Sequence, residues 1–205
     1  MIRALFAARQ RGAALLLASA CAAVVTTATA TMAKTTYVTF DPPDAIQTYA
    51  YYLNADLQIA GDWEDYLETY HGFVRAADGT ISPFDPPNSI DTEVTGIADG
   101  GLVVGWYTAA DRSQHGFLRA SDGTISIYDV PGSTGATYID AVNSKGTFAG
   151  SYADDSGNFP GFVQTSKGKL QRFNVNGAIE VDPHSINNAG AITGSYFDQQ
   201  SNIHG

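Results

Sequence analysis

Between residues 116 and 152, apolar and β-branched residues gather in four short runs, at 116–120, 124–129, 137–142 and 147–152. The first two are joined by Ser121-Asp122-Gly123, where glycine accepts the positive φ that a hairpin turn demands. Pro131-Gly132-Ser133 then breaks the chain, and Asn143-Ser144-Lys145-Gly146 turns the third run into the fourth. A polar loop at 153–158 follows. No stretch beyond residue 33 carries the 3.6-residue apolar period, or the length, of a helix. The pattern predicts an all-β chain built from four-stranded units.

The same pattern is written four times at steps of 44, 45 and 44 residues. One landmark is His71-Gly72-Phe73, His115-Gly116-Phe117, Pro160-Gly161-Phe162 and His204-Gly205. A second is Phe40-Asp41, Phe84-Asp85, Tyr128-Asp129 and Phe173-Asn174; a third is Gly61, Gly105, Gly150 and Gly194. A fourth is Leu53-Asn54, Ile97-Ala98, Val142-Asn143 and Ile186-Asn187. Short four-stranded units of this length predict a β-propeller-like array with one unit per blade. A β-solenoid or stacked-sheet array shares the period and is the alternative.

The repeat domain is expected over 34–205, with units at about 34–70, 71–114, 115–159 and 160–205. Phe73, Phe117 and Phe162, with Phe84, Tyr128 and Phe173, are expected between the blades. The glycines of the fourth run are expected at a bulge or a close backbone approach. The run at 36–41 matches the second strand of a blade, and His204-Gly205 stands at the threshold of a first one. Fifteen strands are therefore expected, and the array reads as truncated at its C-terminus.

His115-Gly116-Phe117-Leu118-Arg119, Tyr128 to Gly132, Val142 to Gly146 and Gly150-Ser151-Tyr152 together resemble the HAF-type bacterial extracellular repeats, in their His-Gly-Phe variant. The resemblance covers nearly all of 36–205. It implies an exported, propeller-like repeat protein, and it carries no reaction and no catalytic residues. Two local departures are Ala98-Asp99-Gly100-Gly101 in place of an asparagine-bearing turn, and Pro160 in place of histidine.

The first residues change the picture of where such a chain works. Arg3, Arg9 and Arg11 precede an apolar run from Gly12 to Val25 and a small-residue stretch ending at Ala30. This reads as a signal peptide over 1–30, too short in its apolar part for a span of about 20 residues. Cys21 is the only cysteine, and its box has Ala18 where a lipoprotein signal usually has a larger aliphatic, so lipid anchoring there is not expected. Without the leader, 8 basic residues face 21 acids, a net charge of −13. Such a surface repels phosphate backbones, which argues against nucleic acid and leaves a glycan or a cell-surface protein as the expected partner, outside the cytoplasm.

Candidate chemistry is sparse. The repeat sets His71 opposite Asp85 and His115 opposite Asp129, and the fourth copy loses both partners together, to Pro160 and Asn174, as a structural clip would. A metal ring of His71, His115 and His204 would need those positions to converge on the axis. Asp154, Asp155 and Asn158 carry oxygen donors that could hold calcium weakly, without the spacing of a calcium loop, and no other cofactor is expected. Glu64, Asp65, Glu68, Glu93 and Glu180 are the acids that could serve sugar cleavage. Every blade keeps the same spacing from its fourth-run glycine to the next His-Gly or Pro-Gly, so no blade stands out as catalytic. Trp63, Trp106 and Tyr107 could stack on sugar rings. The expected role is thus a non-enzymatic binding or display module, with a carbohydrate-active propeller as the alternative.

Overall fold

The structure, a computed structural model, describes residues 36–205. The leader reading for 1–30, with Cys21, lies outside the described residues. Fifteen antiparallel strands form four sheets in simple meander order, and no helix occurs among the described residues. Sheet 1 holds β1 (Gln47–Leu53), β2 (Ile59–Glu64), β3 (Tyr70–Arg75) and β4 (Ile81–Phe84). Sheet 2 holds β5 (Ser89–Ile97), β6 (Val103–Ala109), β7 (Gln114–Arg119) and β8 (Ile125–Tyr128). Sheet 3 holds β9 (Thr137–Val142), β10 (Phe148–Tyr152), β11 (Gly161–Gln164) and β12 (Leu170–Phe173). Sheet 4 has three strands, β13 (Ala178–Ile186), β14 (Ile192–Asp198) and β15 (Ile203–His204).

Each sheet packs on the next, and the first strands β1, β5, β9 and β13 lie innermost around shared hollows. The fold is all-β and β-propeller-like. The sheets cut the repeat at a different point from the units expected at 71–114 and 115–159. Each of the first three sheets takes the last two runs of one unit and the first two of the next. The reason is local: the loop at 153–158 is a tight turn closed by the Asp154 carboxylate, which accepts the amide hydrogens of Ser156 and Asn158 at 2.8 and 2.9 Å. The hairpin therefore continues through it, and the true break falls at Pro86-Pro87 and Pro131-Gly132, where no ladder can propagate.

The strand count of fifteen is met by a different set. Residues 36–41 are not a strand, because a second-run strand pairs with the His-Gly-Phe strand before it, as β4 does with β3, and no such partner exists among the described residues. Phe40 nevertheless keeps its packing role. Its ring meets Phe73 edge-on at 5.8 Å under the Arg75 guanidinium, as Phe84 meets Phe117 at 5.8 Å under Arg119. In the third step the pair changes together. Tyr128 replaces phenylalanine, Gln164 replaces arginine, and the Tyr128 hydroxyl donates to Gln164 Oε1 at 2.6 Å. Phe73, Phe117 and Phe162 are fully buried, each contributing roughly 1.5–3 kcal/mol by burial.

Candidate functional site

The innermost strands carry a bulge at the same place in every sheet. The ladder register skips Tyr51 in sheet 1, Thr95 in sheet 2, Asp140 in sheet 3 and His184 in sheet 4. Opposite each bulge stands one of the repeat glycines, and its missing side chain is what permits the approach. A Cβ would lie 1.9 Å from the Tyr49 carbonyl at Gly61, 2.0 Å from that of Glu93 at Gly105, 1.9 Å from that of Tyr138 at Gly150 and 2.1 Å from that of Asp182 at Gly194. A bulge re-aims the extra side chain and frees it from the pleat. The flanking ring Leu53, Ile97, Val142 and Ile186 is aliphatic throughout, whereas the bulge ring offers a phenol, a hydroxyl, a carboxyl and an imidazole.

Tyr51, Tyr52, Thr95 and His184 line one hollow of about 320 Å³ along the axis. Tyr51 is 56% exposed there. Thr95 is committed, its hydroxyl donating to the Ile139 carbonyl, while His184 Nε2 lies 3.1 Å from Ser195 Oγ. Acids gather behind this ring. Asp62, 1% exposed, accepts the Val94 amide hydrogen at 2.7 Å and shares a side-chain hydrogen bond with Glu93, joining sheets 1 and 2. Burial pushes its carboxyl up to about 8, with Glu93 adding to the rise. Burial pushes Asp140 up to about 8 as well, aided by Asp182 and Glu180, and its Oδ2 is enclosed with no hydrogen-bond partner. Burial, then Asp62, Asp140 and Glu93, raises the Tyr52 phenol, which ties these acids to the same axial region.

The other end of the axis is closed by amides. Each turn asparagine caps its own turn: Asn143 Oδ1 accepts the amide hydrogens of Lys145 and Thr147 at 2.9 and 3.1 Å. Its Nδ2 reaches one repeat ahead and donates to the Asn187 carbonyl at 2.9 Å, as Asn54 Nδ2 donates to the Ala98 carbonyl at 3.1 Å. Where Ala98 lacks this amide, Asp99 takes over, accepting the Ala55 amide hydrogen at 3.0 Å and a hydrogen bond from Ser144. These turns line a second hollow of about 340 Å³. Asn143→Ala leaves two turn amides without their acceptor and removes an inter-sheet donor, so it should destabilise by about 1–3 kcal/mol. Urea unfolding monitored by tryptophan fluorescence checks the loss, and Asn188→Ala, exposed on the same rim, should leave the midpoint unchanged.

Both histidine–carboxylate pairs lie where the repeat sets them. His71 Nδ1 stands 2.8 Å from Asp85, and His115 Nδ1 stands 2.9 Å from Asp129. His204 turns instead to Asp198, with Nε2 at 3.0 Å. These histidines sit on third strands, away from the axis, each engaged with a carboxylate of its own repeat, so the metal ring is not assembled. Among the described residues no group of three or more potential ligands is arranged for a metal. Of the residues with oxygen donors in the 153–158 loop, Asp154 turns its Oδ1 to the amides of Ser156 and Asn158 in its own turn.

The stacking candidates differ in exposure. Trp63 is 9% exposed and stacks on His71 at 4.5 Å, and Tyr107 is 5% exposed beside His115. Their faces are already covered. Trp106 is half-buried, edge-on to Tyr138 at 5.2 Å. Of the candidate acids, Glu93 lies with Asp62, and Glu180 lies on β13 near Asp140 and Asp182, whereas Asp65 and Glu68 belong to the β2–β3 turn and Glu64 accepts from Gln47. The bulge ring is invisible to the repeat, because a single extra residue in every copy leaves no mark on the 44-residue step. The glycine opposite is its one visible signal.

The geometry defines a β-propeller-like repeat module with a polar-lined axis. No family model and no curated protein matches the chain. Among solved structures it is similar to a streptogramin B lyase, at 15% identity over 80% of this chain and 55% of that one, with a TM-score of 0.46. It is also similar to the virginiamycin B lyase of Staphylococcus aureus, at 13% identity over 76% and 68% of the two chains, with a TM-score of 0.36. A catalytically inactive form of that lyase with quinupristin gives 15% identity over 74% and 67%, with a TM-score of 0.32. The chain thus spans about half the length of the streptogramin B lyase it matches.

Proposed function

We propose that this chain is a non-enzymatic module that works outside the cytoplasm and binds or displays a partner, a glycan or a cell-surface protein, through the bulge ring. The observation that carries the reading is the contrast along the axis. Two residues past the bulge the position is aliphatic in every sheet, as Leu53, Ile97, Val142 and Ile186, while Tyr51, Thr95, Asp140 and His184 differ in chemistry from sheet to sheet. Residues freed from a repeat's packing rules are the ones a scaffold can spend on a ligand. Tyr51, exposed, and Tyr52, beside it, offer ring faces to a sugar. The signal-like leader, the net negative charge and the likeness to HAF-type repeats support work outside the cytoplasm.

The second reading, a carbohydrate-cleaving propeller, draws on the paired acids Asp62 and Glu93 and on Glu180. Asp62 is sealed and tied to the Val94 amide, which speaks for a structural role. A glycan array followed by titration of the retained sugars separates the readings. Binding without cleavage is expected, weakened at least tenfold by Tyr51→Ala and unchanged by Tyr66→Ala, an exposed tyrosine in the β2–β3 turn. Sugar release abolished by Glu93→Gln would establish the second reading, and binding indifferent to Tyr51 would move the ligand off the axis.

A further inference from the structure

The turn between the second and third strands is closed by an aspartate in three sheets and differently in one. Asp65, Asp154 and Asp198 each accept, through Oδ1, the amide hydrogen of the residue four places on, at 3.0, 2.9 and 2.9 Å. In sheet 2 that position is Ala109, whose amide still donates to the Ser113 carbonyl at 2.8 Å, as the Asp65 amide does to that of Thr69 at 3.1 Å. The loss of the carboxylate changes what the histidine of the next strand meets. His71 Nε2 lies 3.6 Å from Asp65 Oδ2 and His204 Nε2 lies 3.0 Å from Asp198 Oδ2, whereas His115 Nε2 lies 2.7 Å from Ser113 Oγ. On its other side both oxygens of Asp129 stand near His115 Nδ1, at 2.9 and 3.0 Å. The neutral imidazole therefore carries its hydrogen on Nδ1 and leaves Nε2 as the acceptor. The buried Tyr107 ring, 5.5 Å away between centroids, lies against the imidazole.

We propose that Ser113 is a covalent acceptor for acyl groups, with His115 as its base and Asp129 positioning the imidazole. The inference stands apart from the axial site. A hydroxyl, a base within hydrogen-bond reach of it and a third group orienting that base are what make a serine nucleophilic. Ser113 Oγ attacks the carbonyl carbon of an acyl donor and passes its hydrogen to His115 Nε2. The bond from that carbon to the leaving group breaks, and the leaving group departs with the electron pair and takes the proton from Nε2. A neutral imidazole and an ester on Ser113 remain. Asp111 Oδ1 competes for the same hydroxyl hydrogen, so the attack is slower than it would be with His115 alone. The amides of Arg112 and Ser113 are spent on the Ala109 carbonyl and on Asp111 Oδ1, so neither holds the oxyanion of the tetrahedral intermediate. That sets the class of donor. Phenyl esters and thioesters, whose leaving groups are weakly basic, react; amides do not, and the acyl group stays on the serine instead of turning over.

The test incubates the full chain with p-nitrophenyl acetate and maps the acetyl groups by peptide mass spectrometry over time. An acetyl ester on Ser113 is expected, formed well ahead of any on Ser121, an exposed serine in the β7–β8 turn. His115→Gln should slow the reaction at Ser113 by about a hundredfold or more. Ala109→Asp writes the turn of the other three sheets into sheet 2, so it should keep the fold while setting a carboxylate before Nε2, and should slow the reaction by about tenfold or more. Asp129→Ala should slow it too, and Asp129→Glu should recover most of the rate, which a role in folding alone would not produce. Absence of the ester in the parent chain, or acetylation of Ser113 no faster than of Ser121, overturns the proposal. An unchanged rate in His115→Gln, Ala109→Asp or Asp129→Ala overturns it equally.

Discussion

Gly150→Ala is expected to destabilise the protein by on the order of 3 kcal/mol or more, enough to remove much of the margin of a domain this size. The added methyl would lie 1.9 Å from the Tyr138 carbonyl oxygen, 2.9 Å from its carbon and 3.0 Å from the Ile139 Cα, all backbone atoms that no rotamer change can move. Relief would require β9 and β10 to part at the bulge, which would break the ladder between Tyr138 and Ser151 and lift Ile139 out of the core it shares with Phe162. Gly135 supplies the contrast. A Cβ there meets only the Ala153 side chain at 3.9 Å, so Gly135→Ala should be neutral or slightly stabilising through the unfolded chain. Chemical denaturation of the two variants checks the pair. Equal midpoints would show that the approach at Gly150 is not held in solution.

The same glycine shows how much of the fold is legible in the amino-acid sequence. Its recurrence announces a close approach inside a strand, and the landmarks Phe73, Phe117 and Phe162 announce the layers between sheets; both are present. The phase of the blades is not legible from landmarks. A repeat has no marked beginning, and only the hydrogen bonding of turns such as Asp154–Asn158 decides which runs share a sheet. The axial site is hidden for a related reason. A bulge adds its residue to one strand of a pair, and when every copy carries it, the period stays the same. Residue type alone makes a tryptophan a stacking candidate, yet Trp63 is 9% exposed and its ring lies against His71 of the adjacent strand in its own sheet.

Ala98 and Pro160 show the converse, departures from the repeat that the fold absorbs. At Ala98 the amide that would reach the next turn is lost, and Asp99 one residue on bonds that turn instead by accepting a hydrogen bond from Ser144. At Pro160 the histidine and its carboxylate partner vanish together. The proline cannot donate from its backbone, but its carbonyl still accepts the Tyr152 amide hydrogen at 3.2 Å, so the hairpin edge is held. Such paired changes mark positions that serve packing. The bulge ring differs from them in kind: no neighbouring residue changes to restore a common contact.

Raising the pH from about 5 to about 9 is expected to lower the stability of the protein, opposite to the behaviour of a domain held by salt-bridged acids. Asp62 and Asp140 are each raised from 3.8 to about 8 in the folded state, first by burial. Between the unfolded and folded values the native state binds more protons than the unfolded chain, so the slope of unfolding free energy with pH is negative. Their stabilisation is complete below about pH 4 and is lost as pH climbs through about 8, at up to about 1.4 kcal/mol per pH unit for each group. Asp140→Asn keeps the shape and replaces the proton-dependent carboxyl by a permanently neutral group, so it should flatten the decline and raise the midpoint at pH 9 while changing little at pH 5. Asp62→Asn retains an oxygen acceptor for the Val94 amide and an Nδ2 donor for Glu93, and should act in the same direction. Thermal unfolding of the three proteins across this range reads the effect directly. A midpoint that rises towards pH 9 in the parent chain, or a decline of equal slope in Asp140→Asn, would show that the axial carboxyls are already ionised in the folded state.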